Sequence, residues 1–214
     1  ALLVDLSWWI YLGGMLLVFN AGYLNAMALA GKIPKAATHM TGNLSQFSKN
    51  IIEGNTALVI DFGGTILCFV LGAMLAGLMI RQAKFGLTIR YARALFYQAG
   101  LLTAAWFFFY DHSIEHMLHH QLYFEKIGEY LIAVAAGLQN AMITKYSGAE
   151  IRTTHVTGIF TDLGIELGHA LRRDPTVQWW KIKLFVSTII FFGIGISVGV
   201  YLFHTYHFVL CLTN

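Results

Sequence analysis

Ala21-Gly22-Tyr23-Leu24-Asn25-Ala26-Met27, followed eleven residues on by Thr38-His39-Met40-Thr41-Gly42, has a second copy in the same chain. The copy is Ala136-Gly137-Leu138-Gln139-Asn140-Ala141-Met142, followed twelve residues on by Thr154-His155-Val156-Thr157-Gly158. Five of seven residues match in the first block and four of five in the second, so chance is a poor explanation. Internal symmetry of this kind in an apolar chain marks folds built from two halves, transporters among them.

The 214 residues are 57% hydrophobic and 12% charged, whereas a soluble domain carries about 25% charged residues. Several apolar runs reach the ~20 residues that cross ~30 Å of hydrocarbon, and no soluble domain remains once they are set aside. The first run, from Trp8, is too long and too lightly flanked for a cleaved signal peptide. The composition therefore predicts an all-α integral membrane protein and excludes a soluble domain. The net charge of +3 is spread over short loops rather than one face, so no nucleic-acid partner is expected. Cys68 and Cys211 lie in or beside apolar runs and read as buried thiols.

Outward from the repeated blocks, the pattern predicts a first span from Trp8 to about Gly31 and a polar half-helix over Thr38 to Ile52. A second span follows over Ala57 to Ile80, then one over Ala94 to Tyr110, one over Ile127 to Tyr146, a second half-helix over Thr154 to Leu171, and a last span over Ile182 to Phe203. Arg81, Lys84, Arg90 and Arg93 form the densest basic loop, which the positive-inside rule puts in the cytoplasm. Arg172, Arg173, Lys181 and Lys183 share that side only if the second half-helix is re-entrant. The same logic makes the first one enter from outside. The expected architecture is thus a single transmembrane domain of two inverted repeats, about 8–80 and 127–204, with a linking span at 94–110. It has about five full spans and two half-helices. In the alternative topology an extended piece plus each short helix completes a crossing, giving seven spans.

A helix that begins within a membrane presents unbonded N–H groups and a positive dipole end where water cannot neutralise them. Thr38, Thr41, Thr154 and Thr157 suit such an end as caps, and Gly42 and Gly158 allow close approach. Two such ends meeting at the midplane make a site for an anionic or polar solute. Its candidate residues are Asn25, Thr38, His39, Thr41, Gly42, Asn43, Gln139, Asn140, Arg152, Thr154, His155, Thr157 and Gly158. A polar stripe of His39, Gln46, Asn50 and Glu53 recurs as His155, Asp162, Glu166 and His169. Intramembrane acids are functional candidates, so Asp162 and Glu166 are the proton-coupling pair. The bland readings stand beside these: the histidines as caps, and Asn25 and Asn140 as hydrogen-bond glue between helices.

The segment with His112, His116, His119 and His120 has spacing suited to zinc or copper if helical. Binding of a metal or partner through this outer loop, without transport, is the alternative function. No cofactor is expected. Hydrolase, nucleotide-binding and redox motifs are missing from the sequence, so the chain does not read as an enzyme.

At Ala21 to Ala26, His39-Met40-Thr41-Gly42-Asn43, Gly137 to Ala141 and Arg152 to Gly158 the chain resembles the YoaK-type family of small bacterial membrane proteins, the domain of unknown function 1275. The resemblance implies a bacterial inner-membrane protein of about six hydrophobic segments with a transport role. The family pattern has Asp where this sequence has Asn25, which leaves Asp162 as the better candidate proton carrier. A homodimer would enclose a pathway more easily than one small chain.

Overall fold

The computed structural model describes residues 8–29, 39–80, 89–110, 121–147 and 156–206. All regular structure among them is helical: α1 Trp8–Leu29, α2 Met40–Ile52, α3 Thr56–Met79, α4 Ile89–Tyr110, α5 Gln121–Ser147, α6 Val156–Leu171 and α7 Trp179–Tyr206. Most bounds fall within three residues of the apolar runs, but α4 starts five residues before Ala94 and α5 six before Ile127. The apolar run reports the thickness of the surroundings, whereas helix formers such as Arg90, Glu125 and Lys126 carry the helix past it. Arg90, Arg93 and Lys126 therefore lie on helices rather than in loops.

Packing links the two copies crosswise. α1 packs most extensively on α7 and α3 on α5, α4 lies against α5, and the short helices α2 and α6 lie on the helices that follow them, α3 and α7. Glycine makes the two large contacts close. A Cβ at Gly22 would run into the Phe192 carbonyl of α7, and one at Gly195 into the Phe19 carbonyl of α1. In the other pair, a Cβ at Gly137 would meet the Phe69 carbonyl and one at Gly72 the Val134 carbonyl. Backbones that touch in this way gain dispersion contact without side-chain entropy loss.

These crossings expose a third repeated block. Phe62, Thr65, Ile66, Phe69 and Gly72 recur at the same spacing as Phe185, Thr188, Ile189, Phe192 and Gly195. Thr65 and Thr188 are both buried, and each donates its hydroxyl to the carbonyl four residues back.

The contacts also set direction. Gly22 meets Phe192 and Gly199 meets Tyr23 and Ala26, so α1 and α7 run parallel. Tyr130 contacts Gly64 and Asp61, Val134 contacts Gly72, and Lys145 donates to the Ile80 carbonyl (2.9 Å), so α3 and α5 run parallel too. One core cluster gathers Met15 of α1 and Leu184 of α7 with Ile80 after α3 and Met142 and Ile143 of α5. Starts of one pair thus meet ends of the other, so the pairs run in opposite directions.

Both short helices end alike. After α2, Gly54 N donates to Ile51 O and Asn55 N to Asn50 O; after α6, Arg173 N donates to Ala170 O and Asp174 N to His169 O. This double bond pattern needs a left-handed residue, and Gly54 (φ 71°) and Arg173 (φ 54°) supply it. Asn55 then caps α3 by accepting from Leu58 N, and Asp174 accepts from the hydroxyl and N–H of Thr176. Those two bonds, the hydroxyl first, hold the Asp174 carboxyl below its ordinary range.

The outer faces are apolar, with Leu67, Val70, Met74 and Leu78 of α3 and Ile190 and Ile194 of α7 exposed. Among the described residues two helices, Thr56–Met79 and Trp179–Leu202, are long and apolar enough to cross a membrane.

Candidate functional site

The site grows from the first repeated block. Asn25 falls one helical turn after the Gly22 crossing, on the buried side of α1. His39, at the start of α2, donates from Nδ1 to Asn25 Oδ1 (3.2 Å) and sets its ring edge-on to Phe192, centroids 6.1 Å apart. The start of α2 is therefore pinned, half-buried, beside the α1–α7 crossing. With Nδ1–H engaged, the neutral ring offers Nε2 as an acceptor, and the protonated ring would offer it as a donor. His39 is the N-cap residue of α2, yet its side chain makes no capping bond. The ring is spent on Asn25 rather than on the helix end, which separates it from the bland capping role.

Asn43 and Asn50 follow His39 on the buried face of α2, whereas Gln46 is exposed and Glu53 pairs with Lys49 at the surface (3.7 Å). The inward stripe is half-buried His39 with buried Asn43 and Asn50, because the face is chosen by α3 and not by polarity alone. Thr41 and Gly42 sit on the exposed face of α2, and no atom comes within 4 Å of a Cβ built on Gly42. Thr157 is exposed, and Gly158 and Asp162 are half-buried on α6. Glu166 accepts from the backbone N–H of Gln178 (3.2 Å), tying α6 to the start of α7.

The second repeated block does something the first does not. Gln139 is 1% exposed. Its Oε1 accepts from Asn20 Nδ2 of α1 (2.8 Å) and from Gln98 Nε2 of α4, while its Nε2 donates to the Leu17 carbonyl (2.6 Å). One amide thus joins three helices in a dry interior where each unmade bond would be expensive. The first block has Leu24 at this position. Asn140, half-buried, stands next along α5, and its carbonyl accepts from Thr144.

The structure brings together Asn25 and His39 at one point, Asn43 along the same helix face, and Gln139 on the neighbouring wall. Thr38, Arg152, Thr154, His155, His112, His116, His119 and His120 lie outside the described residues. Among the described residues no group of three or more His, Cys, Asp or Glu side chains is placed to hold a metal.

A family model covers residues 13–213, nearly the whole chain, and carries the description protein of unknown function, DUF1275. The chain belongs to the DUF1275 family. Neither a curated protein nor a solved structure matches it. The DUF1275 match spans both repeated blocks, the third block and the linking helix α4 together.

Two buried polar groups carry no motif and escaped the sequence reading. Gln98 is the α4 partner of Gln139, and Asp61 of α3 is 1% exposed. A signal for Asp61 was available, namely a single acid near the start of a long apolar run.

Proposed function

We propose that the chain is a multi-pass protein of the bacterial inner membrane that passes a small polar or anionic solute between two inverted repeats. The observation that carries this reading is the position of α2: thirteen residues, about 20 Å, starting beside Asn25 and the Gly22–Gly195 crossing rather than at an end of the bundle. A helix start held half-buried beside that crossing directs its amide dipoles at the interior, where an anion or polar group would be stabilised. Its counterpart α6 begins at Val156, which packs against the central core cluster, and leaves antiparallel to α7. With the α1–α7 and α3–α5 pairs opposed, this is the arrangement expected of an inverted repeat with two half-helices. The exposed apolar sides of α3 and α7 favour a hydrocarbon surrounding, since such a surface in water would drive aggregation.

In this reading Asn25, His39 and Asn43 hold the solute on the first half, with Gln139 and Asn140 as the opposite wall. Arg152, Thr154, His155, Thr157 and Gly158 supply the second half.

Two measurements test it. In a chain with Cys68 and Cys211 replaced by Ser, Gly54→Cys and Arg173→Cys react with an impermeant maleimide from opposite sides of sealed vesicles; reaction from one side rejects the inverted arrangement. In liposomes, flux is followed for small anions (formate, nitrate, phosphate) and neutral polar solutes (urea, glycerol). One class crosses saturably, and His39→Ala slows it about tenfold, the worth of one good hydrogen bond. Rates no faster than in protein-free liposomes for every solute reject transport.

A further inference from the structure

Asp61 sits six residues into α3 and faces Tyr130 of α5. A Cβ at Gly64, one turn along the same face of α3, would come within 2.7 Å of Tyr130 Oη, so the bareness of that glycine lets the phenol close on the carboxylate. Tyr130 Oη donates to Asp61 Oδ1 (3.4 Å), and Lys126 Nζ stands 4.0 Å from the same oxygen. The acid is 1% exposed while the lysine is 35% exposed. The carboxylate is thus fixed in the protein, and its counter-ion hangs on a flexible stem that reaches solvent.

Among the described residues, Lys126 stands as a cation against the carboxylate. Glu129 neighbours it on α5, Cys68 lies along α3, and on α2 Lys49 is spent on Glu53 at the surface. The charged residues of α4, Arg90 and Arg93, stand in its first turns, at the end of the bundle where α3 finishes.

A buried carboxylate needs a positive partner or a proton, because an uncompensated charge in a dry interior is too costly to persist. Here both are at hand as alternatives. We propose that Asp61 is a proton-binding site, loaded from the side of the membrane where α5 begins, and that protonation releases Lys126. A proton from water forms an O–H bond on the Asp61 carboxylate, the resulting acid keeps its contact with Tyr130, and the Lys126 ammonium moves into solvent with its charge intact. The inference deepens the transport reading by naming the coupling ion and its carrier, in place of Asp162.

Proton binding is measured without flux, so the two readings fail separately. Infrared difference spectra of the purified chain between alkaline and acid pH show a buried carboxylic C=O band, and Asp61→Asn removes it. Lys126→Met, which keeps the acid and takes away the cation that favours its charged form, raises the midpoint of that band by about one pH unit, a tenfold gain in proton affinity. Should Asp61→Asn not fold, Lys126→Met decides alone. A band that survives Asp61→Asn, or a midpoint that Lys126→Met leaves in place, overturns the inference. Solute flux that persists in either case leaves the transport reading standing.

Discussion

The α3–α5 pair and the α1–α7 pair are built on one plan and filled differently. Counted back from the crossing glycines, Asp61 matches Leu184, Lys126 matches Tyr11 and Tyr130 matches Met15. One pair holds a buried acid with a cation and a phenol, and the other holds an apolar cluster that closes the opposite end of the bundle. The backbone geometry is shared because glycine against carbonyl fixes it, while the side chains two or three turns away are free to diverge. The two pairs share the joint and differ in the contents.

Exchanging the contents is the severest test. Leu184→Asp puts an acid into the apolar cluster around Met15, and an uncompensated buried charge costs about 3–5 kcal/mol. The variant is expected to lose that much resistance to SDS-induced unfolding, or not to fold. Tolerance would mean that the two ends do not differ in their capacity for charge.

A middle-sized effect comes from Gln139. Changing it to Leu copies the residue of the first repeat but strands Asn20, Gln98 and the Leu17 carbonyl, for a loss of about 2 kcal/mol. The same SDS titration measures it, and Asn20→Leu added to Gln139→Leu should recover part of the loss, since one stranded amide is removed.

The smallest concerns the turns. Arg173 occupies a left-handed position that Gly54 fills in the first repeat, so Arg173→Gly is expected to raise stability by about 0.5–1 kcal/mol. A drop in the unfolding midpoint would show that the arginine side chain is needed there.

The helices and the proximity of Asn25 to His39 were legible because each rests on a repeated local pattern. An apolar run of about twenty residues favours a helix, and a motif kept in two copies draws attention to the residues it repeats. Asp61 was not legible that way. Its counterpart is Leu184, so a search for repetition passes over the residue by design. The sequence stripe on α2 is His39, Gln46, Asn50 and Glu53, whereas the structure buries Asn43 and Asn50 and half-buries His39. Helical spacing defines several faces at once, and only the partner helix selects among them. The glycine crossings illustrate the same point: Gly72 and Gly137 are ordinary letters until the carbonyls of Val134 and Phe69 are seen against them.

The crosswise packing of α1 on α7 and α3 on α5 bears on how the protein is made. Synthesis proceeds from the N-terminal side and delivers α1 long before α7, so α1 must wait, its glycine face open, until α7 emerges. Domains with such distant pairings assemble late and stay vulnerable meanwhile. A chain stopped short of α7 would leave α1 without its mate, and quality-control proteases would have a clear mark by which to tell unfinished copies from complete ones.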